Sequence, residues 1–254
     1  MKHAFKPILI SAALLALTAC GSNTKTEPEA PAEEPLMTET PAETASAEPE
    51  QTHASILYLG HAGIRITTPE DKIIYIDPYA PGDYSAAADL ILVTHDHYDH
   101  NNVDLIQNRA DDCTIITSYE ALADGKHQSF DLGYAKVQAV EAGNNPNHSI
   151  TECVGYVITL SDGKKIYVSG DTSTTEQMSE LAEEHIDIAF ICCDGQYNMG
   201  IEEAGTCAET INAGLVVPYH TIVQDGIYYS RQQAEALPAS NKMCMEPGET
   251  FELS

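Results

Sequence analysis

From residue 53 onward, apolar and polar positions fall into short runs that read first as strands and later as strands alternating with helices. Residues 56–60, 63–67 and 72–76 are rich in Ile, Leu and Tyr and are bounded by turn residues, so each predicts a strand. Pro78, Pro81 and Gly82 then break the chain. The apolar run 89–93 is long enough for one buried strand. Residues 113–117 predict another strand and 118–123 a helical turn. Residues 135–141 alternate with period two, and 154–160 and 165–169 flank Ser161-Asp162-Gly163, a hairpin turn signature. After these come a helix-like stretch at 174–184, a strand at 186–192, a helix at 201–212, a strand at 215–218, a helix at 230–237 and a last strand at 250–253. No internal repeat is visible. The order predicts an α/β or α+β domain over residues 53–254, with sheets buried under helices.

The first 52 residues have a different texture. Residues 1–19 carry Lys2 and Lys6 and then an apolar run at 8–17, too short to span a bilayer and typical of a secretory signal. Residues 20–52 are rich in Pro, Glu, Thr and Ala, with almost nothing to bury, and predict an extended, disordered tether. The run Leu17-Thr18-Ala19-Cys20 resembles the lipobox of bacterial lipoproteins. That resemblance implies cleavage before Cys20, acylation of its thiol, and an extracytoplasmic domain anchored to a bacterial membrane. Each buried CH₂ of an acyl chain contributes about 0.8 kcal/mol, so several chains hold firmly.

Charge changes the picture by exclusion. The chain of 254 residues has a formal net charge of −27. The first 52 residues hold three Lys and eight Glu, which leaves nine basic and 31 acidic residues beyond them, a net of −22. A field of that sign repels polyanions, and no basic cluster reverses it, so nucleic acid is not an expected partner. Seven cysteines are present without a C-x-x-C pair, which argues against a zinc ribbon. An exported chain permits disulfides, but their pairing is not readable from sequence. Cys192-Cys193 ends an apolar strand pattern and reads as two buried, inert thiols.

The chemistry sits just after the strand at 89–93. There, His95, His97, Asp99 and His100 place four potential metal ligands within six positions. In extended chain His95 and His97 point to the same side. A turn before Asn101-Asn102 would aim Asp99 and His100 back at the same point. Imidazole and carboxylate suit borderline-hard divalent metals. Three further residues of this kind follow strands or lie in a loop: His148, Asp171 and His220. Two metals about 3.5–4 Å apart need roughly that many protein ligands when solvent fills the remaining positions.

With this set in hand, the chain resembles the metallo-β-lactamase superfamily from about residue 55 to its C-terminus. His95, His97, Asp99 and His100 match the H-x-H-x-D-H motif. His148, Asp171 and His220 match the later ligands in the family's order, and Asp77 matches the acidic residue that ends an early strand. The placement of Gly60-His61 before Ile76-Asp77-Pro78 resembles a compact, lactonase-like branch. The resemblance implies a four-layer αββα sandwich with two metals at one edge. It implies that His95, His97 and His148 hold one ion, that Asp99, His100 and His220 hold the other, and that Asp171 bridges them. Asp99 and Asp171 are the candidate catalytic carboxylates. Three residues are candidates for the surroundings of the site. Asp77 would be the partner of a ligating imidazole, His61 would line the pocket as a proton donor or an orienting group, and Tyr197 would touch substrate from the loop at 194–199. Tyr98 is expected at the rim. The expected cofactors are two divalent ions, Zn²⁺ first, with Mn²⁺ or Fe open because no Cys joins the set.

Departures narrow the activity. The commonest β-lactamases of this fold carry a Cys ligand in the second site, which is absent here. No extra substrate domain of the thioester-hydrolase or nuclease kind is visible, and no flavodoxin-like segment follows. The expectation is a metal-dependent hydrolase acting on an ester, lactone, amide or phosphoester of a small molecule. The alternatives are a lipoprotein that binds metal or ligand without turnover, and a metal-dependent oxidoreductase on the same fold.

Overall fold

In the computed structural model, residues 53–253 are described, and they form two six-stranded sheets packed face to face. The first is built from β1 (Ala54–Gly60), β2 (Gly63–Thr67), β3 (Ile73–Ile76), β4 (Ala88–Leu92), β5 (Arg109–Ile116) and the C-terminal β12 (Thr250–Leu253), in the order β12-β1-β2-β3-β4-β5. The second holds β6 (Ser129–Asp131), β7 (Ala135–Glu141), β8 (Val154–Leu160), β9 (Lys165–Val168), β10 (Ile188–Cys192) and β11 (Leu215–Tyr219), in the order β11-β10-β9-β8-β7-β6. Each sheet is mixed. The pairs β3–β4, β4–β5, β9–β10 and β10–β11 are parallel and the remainder antiparallel.

Side-chain alternation explains why these runs form strands. Ile56 and Tyr58 of β1, Ile64 and Ile66 of β2 and Leu90 and Leu92 of β4 face the second sheet and join one core cluster with Tyr156, Ile158, Tyr167 and Phe190. The alternate positions Leu57, Leu59, Ile91 and Val93 face outward. They are covered by a smaller cluster that includes Tyr75 and Ile106. A strand buried on both faces reads as a continuous apolar run, which is why residues 89–93 lack alternation. β7 borders solvent on one face, so Ala135, Val137 and Ala139 are buried while Lys136 and Gln138 are exposed.

Among the described residues α-helices are few: α1 (Ser118–Ala121), α2 (Ile201–Ile211) and α3 (Arg231–Ala236). α2 buries Ala204, Cys207, Ala208 and Ile211 along one stripe and ends at Asn212 in the left-handed conformation (φ 54°). The predicted helix at 174–184 does not form as one α-helix. It is two 3-10 turns, Gln177–Ser179 and Leu181–Glu184, closed by His185 at φ 53°. Local side-chain bonds replace the α ladder there. Thr174 N donates to Glu203 Oε1 (2.9 Å), and Gln177 and Glu141 exchange bonds in which each backbone N–H reaches the other's side chain (2.7 and 3.1 Å). β6 was not expected from sequence; at three residues it is too short to show a period. The six cysteines of the described residues are free thiols, and Cys192 and Cys193 are fully buried, as their apolar context predicts. Cys20 and the calls on residues 1–52 lie outside the described residues.

Candidate metal centre

The carboxyl ends of the parallel-paired strands meet at one edge of the sandwich, where open sheets gather ligands. β3 delivers Asp77, β4 delivers the segment 94–100, β9 delivers Asp171, β10 leads to Asp194 and β11 leads to His220. His148 arrives on the loop after β7, which is pinned to the site because Gly143 N donates to Asp171 O (3.1 Å). The turn required of the first motif forms: the N–H groups of His100 and Asn101 both donate to His97 O (3.0 and 2.9 Å). This folds Asp99 and His100 back beside His95. At Asp171 the preceding Gly170 lies at φ +60°, and a Cβ there would stand 2.7 Å from Val154 O. Only glycine allows that turn at low cost.

All seven predicted ligands come together. Donor atoms of His95, His97 and His148 lie within 4.8 Å of one another, as do those of His95, His100 and Asp171, and those of His61, Asp99, His100 and His220. Asp171 is central. Its Oδ1 is 3.4 Å from His100 Nε2 and 3.2 Å from His220 Nε2, while its Oδ2 is 3.3 Å from His148 Nε2. The two oxygens of one carboxylate thus face different imidazoles.

Outer acceptors fix which nitrogen of each ring points inward. His100 Nδ1 donates to Asp77 Oδ2 (2.8 Å), and His95 Nδ1 donates to Thr94 Oγ1 (3.1 Å), which itself donates to Asp77 Oδ2 (2.7 Å). His148 Nδ1 faces Asn145 Oδ1 (3.3 Å), and His220 Nδ1 faces Asp194 Oδ2 (3.2 Å). Imidazoles that ligate metals are held in this way by their second nitrogen. Their Nε2 atoms are then turned to the centre. Those of His95, His100 and His220 are buried without a hydrogen-bond partner, and so is Asp171 Oδ1. Buried polar atoms left so are costly unless something else satisfies them. Two donors each about 2.0–2.1 Å from a tetrahedral zinc lie about 3.4 Å apart, which matches the spacings around Asp171. The residues therefore fit a bound divalent cation.

Electrostatics of the metal-free site divide the imidazoles. Burial and the nearby His100 hold His95 neutral, with its pKa pushed down to about 2. Burial also lowers His148, and burial with His220 lowers His61 to about 4. Burial opposes charge on His100 and His220 too, but Asp171 outweighs it. With the further carboxylates Asp77 and Asp194, His100 is raised and His220 is pushed up to about 9. Asp171 is correspondingly held well below the ordinary carboxylate range by His220 and His100, against the effect of its burial.

His61, expected only to line the pocket, stands within the group. Its Nε2 is 3.2 Å from Asp99 Oδ2, and its ring is 3.9 Å from that of His220. His61, Asp77 and His220 all have left-handed backbones (φ 53°, 44° and 42°), an outlying conformation for these residues that clusters at functional sites. Asp77 lies behind His100 and accepts from its Nδ1. Asp194, Thr94 and Asn145 were not expected as supports. Asp194 shared the one available signal, a carboxylate just past a strand, but Asp-Gly there reads first as a turn. It does build that turn, accepting from the N–H groups of Gln196, Tyr197 and Asn198. Two clefts open on the site. One of 370 Å³ reaches His95, His97 and His148, and one of 230 Å³ reaches His61, Asp99 and His220 and is walled partly by Tyr197 and Tyr98.

Comparisons with known proteins agree with this geometry. Residues 55–220 match the Beta-lactamase superfamily domain. A UPF0173 metal-dependent hydrolase of Symbiobacterium thermophilum is 31% identical over 227 residues, covering 78% of this chain and 99% of that one. One from Thermococcus onnurineus is 31% identical over 229 residues, with the same coverage. Among solved structures, the metallo hydrolase Igni18 of Ignicoccus hospitalis superposes with a TM-score of 0.62 at 23% identity, over 80% of this chain and 99% of that one, a likeness of fold. The sandwich, the ligand order and the extent of these matches place this chain in the β-lactamase superfamily and, within it, in the UPF0173 family of metal-dependent hydrolases.

Proposed function

We propose that the site holds two divalent cations, zinc first, and hydrolyses an ester, lactone, amide or phosphoester of a small molecule. The observation that carries the reading is the inward set of uncapped donor atoms around Asp171, with the rings of His95, His100 and His148 hydrogen-bonded from behind. His95, His97 and His148 would hold one ion, Asp99, His100 and His220 the other, and Asp171 both. Such a pair supplies hydroxide at neutral pH and polarises the bond under attack. The chain's own groups do the rest. Asp77 and Asp194 keep two ligand rings in the productive tautomer. The buried His61 and the partly exposed Asp99 form an imidazole–carboxylate pair beside one cleft, placed to take a proton from the attacking water and return it to the leaving group. Tyr79, whose phenol is pushed up to about 12 by burial and by Tyr228, stays protonated nearby as a donor.

The test is release of p-nitrophenol from ester and phosphodiester substrates by the full-length chain, with elemental analysis of the same sample. About two metal equivalents and turnover abolished by chelator are expected. No turnover from fully loaded protein would favour a binding role instead.

We also infer that the domain is tethered outside the cytoplasm through acylated Cys20, supported by the lipobox-like run and the spacer that follows it. Labelled palmitate fed to an expressing bacterium should enter the wild-type chain and not a Cys20→Ala variant.

A further inference from the structure

The two clefts differ in which side chains wall them, and neither is walled by a permanently cationic side chain. Among the described residues, no Lys or Arg lines either one. The larger is polar and acidic, with Asp96 and Glu152 beside Ser149 and Thr151. The smaller is lined by Asp99, Asp194, Gln196 and Thr221 near the ligand set, with aromatic and aliphatic side chains beyond them. Tyr98, Tyr79 and Tyr228 form an edge-to-face series with centroid spacings of 5.7 and 5.6 Å, and His61 stacks its edge on Tyr79 at 5.4 Å, so rings lead from the surface to the ligand set. Facing them, Tyr197, Ile222 and Val223 leave 53%, 40% and 41% of their surface open to water. Large apolar side chains gathered so at the mouth of a site mark a binding face. This wall is built. Gln233 accepts from Ile222 N (2.7 Å) and donates to Asp194 O (2.9 Å), which ties it to the loop behind His220.

The inner charges point the same way. Asp77, Asp99, Asp171 and Asp194 stand within hydrogen-bond or ion-pair range of the ligand imidazoles. Four carboxylates already balance two divalent cations, and the chain around them is strongly acidic. Recognition of a phosphate or carboxylate group ordinarily uses Arg or Lys, and here none is in place.

We propose that the substrate is an uncharged or cationic ester, lactone or amide whose apolar or aromatic arm lies along Tyr98, Tyr79 and Ile222, and that phosphoesters and substrates bearing a carboxylate are rejected. The proposal rests on the hydrolytic reading of the site and narrows it. The bond broken is the acyl C–O or C–N bond. Water contributes OH to the acyl carbon and H to the leaving oxygen or nitrogen, so no further reactant is needed.

The experiment compares p-nitrophenyl hexanoate and benzoate with an anionic ester of matched length, p-nitrophenyl monoadipate, and with bis-p-nitrophenyl phosphate, using the metal-loaded full-length chain. Each methylene buried against the wall is worth up to about fourfold, and one repelled charge about tenfold, so kcat/KM for hexanoate should exceed that for the adipate by at least about tenfold. Val223→Lys should raise the adipate-to-hexanoate ratio by about tenfold, and Ile222→Ser should lower the hexanoate-to-acetate ratio. A readout independent of turnover uses metal-free protein. Saturation-transfer NMR with hexananilide should show contact with the protein, and adipic acid monoanilide should not. Equal turnover of matched neutral and anionic esters, or equal saturation of the two anilides, would overturn the inference while leaving the hydrolase in place. Absence of turnover on every ester by protein carrying its metal would instead sink the hydrolytic reading.

Discussion

Asp77→Asn isolates the role of one carboxylate that touches neither the expected metals nor the substrate. Asp77 is fully buried. Its Oδ1 accepts from Thr94 N (2.8 Å), and its Oδ2 accepts from both Thr94 Oγ1 (2.7 Å) and His100 Nδ1 (2.8 Å). Asparagine keeps the shape and can still accept from Thr94 N. Its amide then faces the other two groups as a donor. An NH₂ cannot accept from His100 Nδ1–H, so the ring is driven to the other tautomer, which puts a proton on Nε2 where a ligand lone pair is needed. Loss of such a partner typically costs 10–100-fold in metal affinity. If two ions bind as proposed, the one with Asp99 and His220 should weaken by about that factor. The ion held by His95 should weaken less, since Thr94 still accepts from His95. In the metal-free protein one charge-assisted bond worth about 2 kcal/mol also disappears. For a domain of this size that lowers Tm by roughly 4–8 °C. Competition against a chromophoric zinc chelator resolves the two affinities, and a circular dichroism melt gives the stability. Asp83→Asn, which alters a surface carboxylate bonded to Arg65 and Ser85, serves as the control. If Asp77→Asn bound both ions as tightly as the control, Asp77 would not set the tautomer of His100, and the argument from outer acceptors would fail with it.

Other expectations follow from the same site. Loading with metal at about 1,000 times Kd is worth about 4 kcal/mol per ion, so the chelator-stripped protein should melt roughly 10 °C or more below the loaded form; identical melts would show that these residues hold no metal. Because His220 in the metal-free protein has a pKa raised from 6.5 to about 9, its contribution to stability is complete below about pH 6.5 and is lost as pH rises through 9. The stripped protein should therefore melt lower at pH 9.5 than at pH 6.5, and His220→Gln should flatten that difference. The same raised pKa means that zinc must displace protons at pH 7.5, which appears in calorimetry as a binding enthalpy that varies with the ionisation enthalpy of the buffer. Gly170→Ala forces a Cβ to within 2.7 Å of Val154 O at φ +60°, and should cost about 1–3 kcal/mol in a denaturant titration as well as weakening metal binding by shifting Asp171.

Much of this was legible in the chain because the ligands follow strands whose apolar runs are unambiguous. The run at 89–93 announces both the strand and what it presents, and His148, Asp171 and His220 fall in the expected order. Contacts between distant segments were not legible. Nothing local distinguishes Asp194 from an ordinary Asp-Gly turn, and its partner His220 lies 26 residues on. His61 joins the group because it takes a left-handed conformation in the turn between β1 and β2, held where His61 N donates to Tyr228 O and His61 O accepts from His220 N (2.8 and 2.9 Å). The expected helix at 174–184 failed for a similar reason. Its composition favours an α-helix, and bonds to Glu203 and Glu141 from elsewhere in the fold shorten it to two turns.

The ligands come from both sheets. His95, His97, Asp99 and His100 extend from the first, while His148, Asp171 and His220 extend from the second. Each bound cation would therefore rivet one half of the sandwich to the other along a single seam. A cell that starves this chain of metal would not merely silence it. It would loosen that seam and expose backbone to proteases, so abundance would follow metal supply in a domain whose cysteines form no cross-link among the described residues.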